Sequence, residues 1–197
     1  MLVEHRGKRP RIAASAYVAP TAVICGDVTI GEECRVLFGA VVTAEDGAVS
    51  IGDRCIVMEN SVVRGRARHP GQIGNDVLIG PHAHVNGAEV EDEVFVATGA
   101  AIFPGARIGF GAELRINGVV QVNTVLAAET TVPIGWVAVG DPARLFPPHA
   151  HEEIWPLQRQ LDFPRTVFDL PRDARMREAT RRYADWLAAH LDDVVCD

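Results

Sequence analysis

Ile30-Gly31-Glu32-Glu33-Cys34-Arg35 is followed by Ile51-Gly52-Asp53-Arg54-Cys55-Ile56, and the pattern returns as Ile79-Gly80-Pro81-His82-Ala83-His84 and Ile108-Gly109-Phe110-Gly111-Ala112-Glu113. An aliphatic residue opens each hexad, glycine follows, and a small residue stands four positions after the first. Outward from these copies, aliphatic residues recur at six-residue steps from Val18 to about Val139. Six matches neither the helical period of about 3.6 nor the strand period of about 2. It marks a β-helix, in which short strands are joined by tight turns. Three hexads close one triangular coil, with the aliphatic residue inside a flat face and the small one in a tapering corner. One coil cannot bury its own interior, so coils stack. The predicted fold is mainly β, a left-handed parallel β-helix of hexapeptide repeats over residues 1–146. Residues 147–197 form a C-terminal helical extension that packs on it.

Departures from the period locate insertions. Val42 to Ile51 spans nine residues, Val63 to Ile73 ten, and Val85 to Val90 five. The second places a loop around Arg68-His69-Pro70-Gly71-Gln72. The repeat closes on Val139-Gly140-Asp141-Pro142-Ala143-Arg144. Beyond it, His149 to Gln160 has helical character interrupted by Pro156, and Leu161 to Arg165 reads as a linker. Pro171 through Val195 reads as one helix, with Met176, Tyr183, Trp186, Leu187 and His190 on one stripe.

Composition excludes several classes. The chain has 197 residues, a formal net charge of −7, 48% hydrophobic and only 6% aromatic residues. The acidic balance argues against nucleic acid as a partner. No apolar run approaches the ~18 residues of a membrane span, and Met1 to Arg6 lacks the apolar stretch of a signal peptide. A cytoplasmic protein is expected. Cys25, Cys34, Cys55 and Cys196 form no CxxC pair, so free thiols are expected. Cys34 and Cys55 take the small inward position and should stack inside the helix as inert apolar residues.

Positions two, four and six of a hexad point outward. One face exposes Leu37, Val41, Met58, Val62, Ala97 and Ala101, an apolar strip that needs a cover. Homo-oligomerisation is the economical cover and the C-terminal helix the competing one. The next face exposes Thr43, Glu45, Arg64, Arg66, Arg68, Asn86, Phe103 and Arg107. Allowing for the loop, Arg64 and Asn86 become neighbours on adjacent coils. Clefts between subunits are common ligand sites, so this polar ladder is the place to look.

With these repeats, insertions and closing motif, the sequence resembles the γ-class carbonic anhydrases over roughly Ile12 to Phe146. The resemblance implies a homotrimer with zinc at the subunit interface, held by three histidines from two subunits. It places the three ligands at Arg64, Pro81 and Asn86. An Arg, an Asp and a Gln of that family fall at Thr43, Glu45 and Met58. Of the six, only Glu45 keeps the chemical character. Pro81 has no side-chain donor atom, and an Arg64 guanidinium cannot ligate. No cofactor is therefore expected, and zinc hydration of carbon dioxide least of all; a displaced zinc site at His82 and His84 is the alternative, although a metal site needs three or more ligands.

The expected site is a remodelled subunit-interface cleft for a small anionic molecule. Arg64, Arg66, Asn86, Met58 and Phe103 bind it, and Glu45, His82 and His84 are the candidate acid/base groups. His82 and His84 are read as a pair on one strand, facing the cleft from the neighbouring subunit. The Arg cluster has a plainer reading as ion pairs to Glu89, Glu91, Asp92 and Glu93. Two other functions stay open: an acyl-CoA-dependent hexapeptide acyltransferase with His82 or His84 as base, and a non-catalytic scaffold subunit.

Overall fold

The structure is a computed structural model that describes residues 1–196. Its body is a stack of triangular coils. One face is a seven-stranded parallel sheet running from Tyr17–Val18 to Thr131–Val132. The other two faces belong to one larger sheet, because the long strand Val41–Ile51 continues around the corner between them. Left-handed parallel β-helix architecture thus follows from the hexads.

Register explains the core. Val36, Val57, Ile79, Val96, Leu114 and Val132 pair in succession on the first face. Val42, Val63, Val85, Ile102, Val120 and Ala138 do so on the second. All twelve are fully buried. Cys34 and Cys55 sit among them, their thiols donating to Gly52 O at 2.9 Å and Gly74 O at 3.0 Å. Burial pushes the Cys55 thiol up to about 12, so it is chemically quiet.

The corner after the first face repeats a left-handed residue on each coil: Gly39, Asn60, His82, Gly99, Asn117 and Gly135 all have φ between 57° and 73°. Such backbone suits glycine and, after it, Asn, Asp and His. The Asn117 side chain fills the space a Cβ on Gly99 would need.

The C-terminal extension differs from the sequence expectation. Helix α1 spans His151–Gln160 with Pro156 inside it. The expected linker is instead the start of helix α2, Phe163–Phe168, which has proline in its first turn. The single helix expected over Pro171–Val195 is shorter. Helix α3 spans Met176–Leu187 and continues as a 3-10 turn, Ala188–Asp192. Val194–Cys196 is then a strand, antiparallel to Leu2–Glu4. The free edge of the first coil offers backbone partners there that a longer helix would forgo. Of the predicted stripe, Tyr183, Trp186 and His190 face the body, whereas Met176 is 69% exposed.

Candidate functional site

Three short excursions of the chain stack at one corner: His5–Lys8, Glu45–Ala48 and Arg66–His69. Gly47 and Gly65 permit this. A Cβ on Gly65 would lie 2.3 Å from Gly47 O and 2.5 Å from Ala48 O. The outward ladder beside the corner runs Cys25, Thr43, Arg64, Asn86, each in register with the next. The sequence thus placed Arg64 against Asn86 correctly. His84 lies on the same strand as Asn86, two residues before it.

The ladder carries buried charge. Arg64 Nε lies 2.9 Å from Glu45 Oε1, but its N–H is not aimed at that oxygen and has no acceptor among the described residues. Its Nη1 donates to Tyr183 Oη at 3.1 Å. Arg66, only 7% exposed, stands 3.8 Å from Glu45 and 3.5 Å from Asp46. Its guanidinium lies over both Tyr183 and Trp186 of α3, at 5.1 and 4.9 Å from the ring centroids. Arg68 pairs with Asp169 at 2.8 Å. The cluster's acidic partners are therefore Glu45, Asp46 and Asp169, and the pairing expected with Glu89, Glu91, Asp92 and Glu93 is replaced. The coil corner folds Glu45 and Asp46 back against the arginines, a turn that repeat counting does not reveal.

Asn86 is buried and its Oδ1 has no hydrogen-bond donor among the described residues. Burial, and then the charge of Arg64, holds the half-buried His84 below the usual imidazole range, so it is neutral near pH 7. A guanidinium whose Nε–H points past its Glu45 partner, an unpartnered acceptor and a neutral imidazole therefore share one patch. A small molecule with both an anionic oxygen and a hydroxyl would satisfy the first two together.

The fold has relatives. No family model matches the chain. It is 33% identical over 154 residues to gamma carbonic anhydrase 1, mitochondrial, of Arabidopsis thaliana, covering 75% of this chain and 54% of that one. It is 33% identical over 111 residues to a carbonic anhydrase of Geobacillus kaustophilus, covering 56% and 61%. The chain spans little more than half the length of these curated relatives. Among solved structures, it superposes on a Bacillus cereus protein assigned as an acetyltransferase with a TM-score of 0.57 and 21% identity, covering 92% and 96%. A hexapeptide transferase family protein from Anaplasma phagocytophilum gives 0.51 and 21%, covering 93% and 97%. The chain is γ-carbonic-anhydrase-like.

In this γ-carbonic-anhydrase-like chain the remaining predicted residues scatter. His82 and His84 do not form a strand pair. His82 is exposed at the left-handed corner and is held there by its backbone, while His84 is on the strand. Met58 lies with Pro81, Phe95, Ala97, Ile116 and Ile134 along an apolar groove of about 490 Å³ on the first face. Phe103 is half-buried and meets Phe163 edge-on, centroids 6.2 Å apart. The apolar strip is not covered by α3, which lies on the polar ladder instead.

Sequence reasoning missed Tyr183 and Trp186 as partners of the arginines, since nothing local links them. It also left Cys25 without a partner, whereas Cys25 Sγ lies 3.8 Å from Asp193 Oδ2. No helix among the described residues is long and apolar enough to cross a membrane.

Proposed function

We propose that the protein is a homotrimer whose subunit-interface cleft binds a small oxyanion at Arg64, without zinc at the position where the γ-class resemblance puts it. The observation that carries this reading is Arg64 in register with Asn86, whose buried Oδ1 has no hydrogen-bond donor among the described residues. That oxygen loses hydration without compensation unless a ligand supplies a donor. A bicarbonate or small hydroxycarboxylate offers the matching acceptor and donor. His84, neutral beside Arg64, is the acid/base group best placed to exchange a proton with that ligand. Glu45 balances the arginines and keeps the site from being simply cationic.

The donor set does not suit zinc. Arg64 brings a fixed positive charge, Pro81 has no ligating atom, and Asn86 offers one weak oxygen. Trimer formation is supported by the uncovered apolar groove, which a second copy would fill, and by the oligomeric habit of hexapeptide-repeat proteins. Met58 would then approach the ladder across the subunit boundary. The four free cysteines suit a reducing compartment, and we place the protein in the cytoplasm.

Melting-shift and calorimetric titration with bicarbonate, small hydroxycarboxylates and phosphate tests this reading. The expected result is saturable binding by the intact protein that disappears in Arg64→Ala and weakens in Asn86→Ala. Absence of any response in the intact trimer would overturn the anion site and leave a non-catalytic scaffold as the better description.

A further inference from the structure

A second cluster stands at the other end of the same ladder and takes no part in the anion site. His5 and Cys25 come from the first coil, His190 and Asp193 from the segment that follows α3. One donor atom from each lies within 4.8 Å of every other. The antiparallel strand Val194–Cys196 on Leu2–Glu4 holds the two pieces of chain together. His5 is 2% exposed and Cys25 5%.

The hydrogen bonding of His5 is the informative detail. Its Nε2 lies 2.9 Å from the backbone oxygen of Glu45, an atom that only accepts, so Nε2 carries the proton. Neutral His5 then presents the lone pair of Nδ1, and that lone pair faces Asp193 Oδ1 at 2.6 Å. Two lone pairs at that distance need a cation to share. His190 Nδ1 meets the other oxygen of the same carboxylate at 2.7 Å. The two imidazoles also stack, with centroids 4.3 Å apart. A proton on His5 Nδ1 would make that ring cationic, while His190 can donate from Nδ1 as a neutral tautomer. One metal ion would serve both nitrogens, the carboxylate and the thiol together.

We infer that His5, Cys25, His190 and Asp193 form a binding site for a tetrahedral divalent transition metal, zinc above all. Two imidazoles, one thiolate and one carboxylate are a ligand set zinc takes, at about 2.0–2.3 Å from each atom. Tetrahedral bonds of that length separate the ligand atoms by roughly 3.3–3.8 Å. The Cys25–Asp193 contact at 3.8 Å fits that scale, whereas the His–Asp193 contacts at 2.6 and 2.7 Å are shorter and side-chain rotations would have to open them. Charge also balances: a dication with one thiolate and one carboxylate is neutral, which suits a buried position. The Glu45 carbonyl on His5 Nε2 is the outer contact that fixes the ring nitrogen available to the metal. Four protein ligands leave no open position, so the role is structural, a clasp that fastens the C-terminal segment to the first coil.

The site is separate from Arg64, Pro81 and Asn86, and its test separates it from the anion reading. Full-length protein purified without chelators and dialysed against zinc is assayed for metal content, then reloaded with cobalt. The expected result is one zinc per chain, kept in Arg64→Ala and lost in Cys25→Ser and in His190→Ala. The cobalt form should show tetrahedral visible bands and a thiolate charge-transfer band, the latter absent from Cys25→Ser. If Cys25→Ser does not fold, His190→Ala carries the same comparison, since that residue is on the surface segment. No zinc uptake by the wild-type chain, or full uptake by the folded variants, would overturn the site.

Discussion

Two outward faces of the same coil stack have opposite fates. The first bears Met58, Phe95, Ile116 and Ile134, and none of the described residues covers it. The second bears Thr43, Arg64 and Asn86, and α3 lies over it with Tyr183 on Arg64 and with Tyr183 and Trp186 on Arg66. Beneath both, the inward residues are interchangeable Val, Ile and Leu. The repeat therefore specifies an interior and leaves alternate positions free. Polarity at those free positions decides whether a face meets its own chain or another molecule.

The largest expected effect tests the shared interior. Ile102 is fully buried beneath the second face. Ile102→Ala should destabilise the protein by about 2–5 kcal/mol, read by urea unfolding, since the stacked coils cannot collapse around the void. A loss well below that range would mean that the interior is looser than the register implies.

Arg66→Ala tests what holds α3 to the polar face. It leaves the half-buried Asp46 without its cation and Glu45 with Arg64 alone, and it removes the surface on which Trp186 rests. The cost should be about 2–3 kcal/mol, under that of a tight buried pair because the nitrogen–oxygen distances are 3.5 and 3.8 Å. Tryptophan fluorescence should shift to the red as α3 loosens. Unchanged fluorescence would mean that the extension is fastened elsewhere, at Val194–Cys196 or at the cluster around His5.

Ile116→Asp is the converse change on the apolar face. Ile116 is 46% exposed in the single chain, so the fold should tolerate it. Losing one buried aliphatic side chain per contact costs about 1.5–3 kcal/mol. The oligomer should dissociate by light scattering at concentrations where the parent does not. A variant that stays fully assembled would place the subunit contact on another face.

This contrast also shows what the sequence made legible. Periodicity revealed every inward position, because burying aliphatic residues at a fixed step is a local requirement repeated on each coil. It also revealed the Arg64–Asn86 register, since insertions only shift the count. His82 stands three places after Ile79 as Asn60 does after Val57, so its corner was legible too; pairing it with His84 carries strand alternation past the two-residue strand into the corner. Periodicity could not bring His5 beside Asp193. Those residues are 188 positions apart, and a strand that no repeat announces joins them.

The smallest expected effect concerns protons on the polar face. Burial holds His84 and His69 below the usual imidazole range, with Arg64 adding to the shift in the first, and Arg68 and Arg66 in the second. The unfolded chain, with ordinary values near ~6.5, therefore binds more protons than the native one just below that pH. Stability should be flat above it and fall as pH drops from ~6.5 toward the lowered native values. His84→Gln should flatten part of this slope, and the double change with His69→Gln more of it. An oxyanion held at Arg64 would screen that guanidinium from His84 and raise the native imidazole toward its ordinary range. Bicarbonate or a hydroxycarboxylate should then shrink the acid-side loss in the parent but not in His84→Gln. Equal slopes with and without the anion would mean that the ligand sits beyond the reach of His84, and would move the acid/base role to another residue.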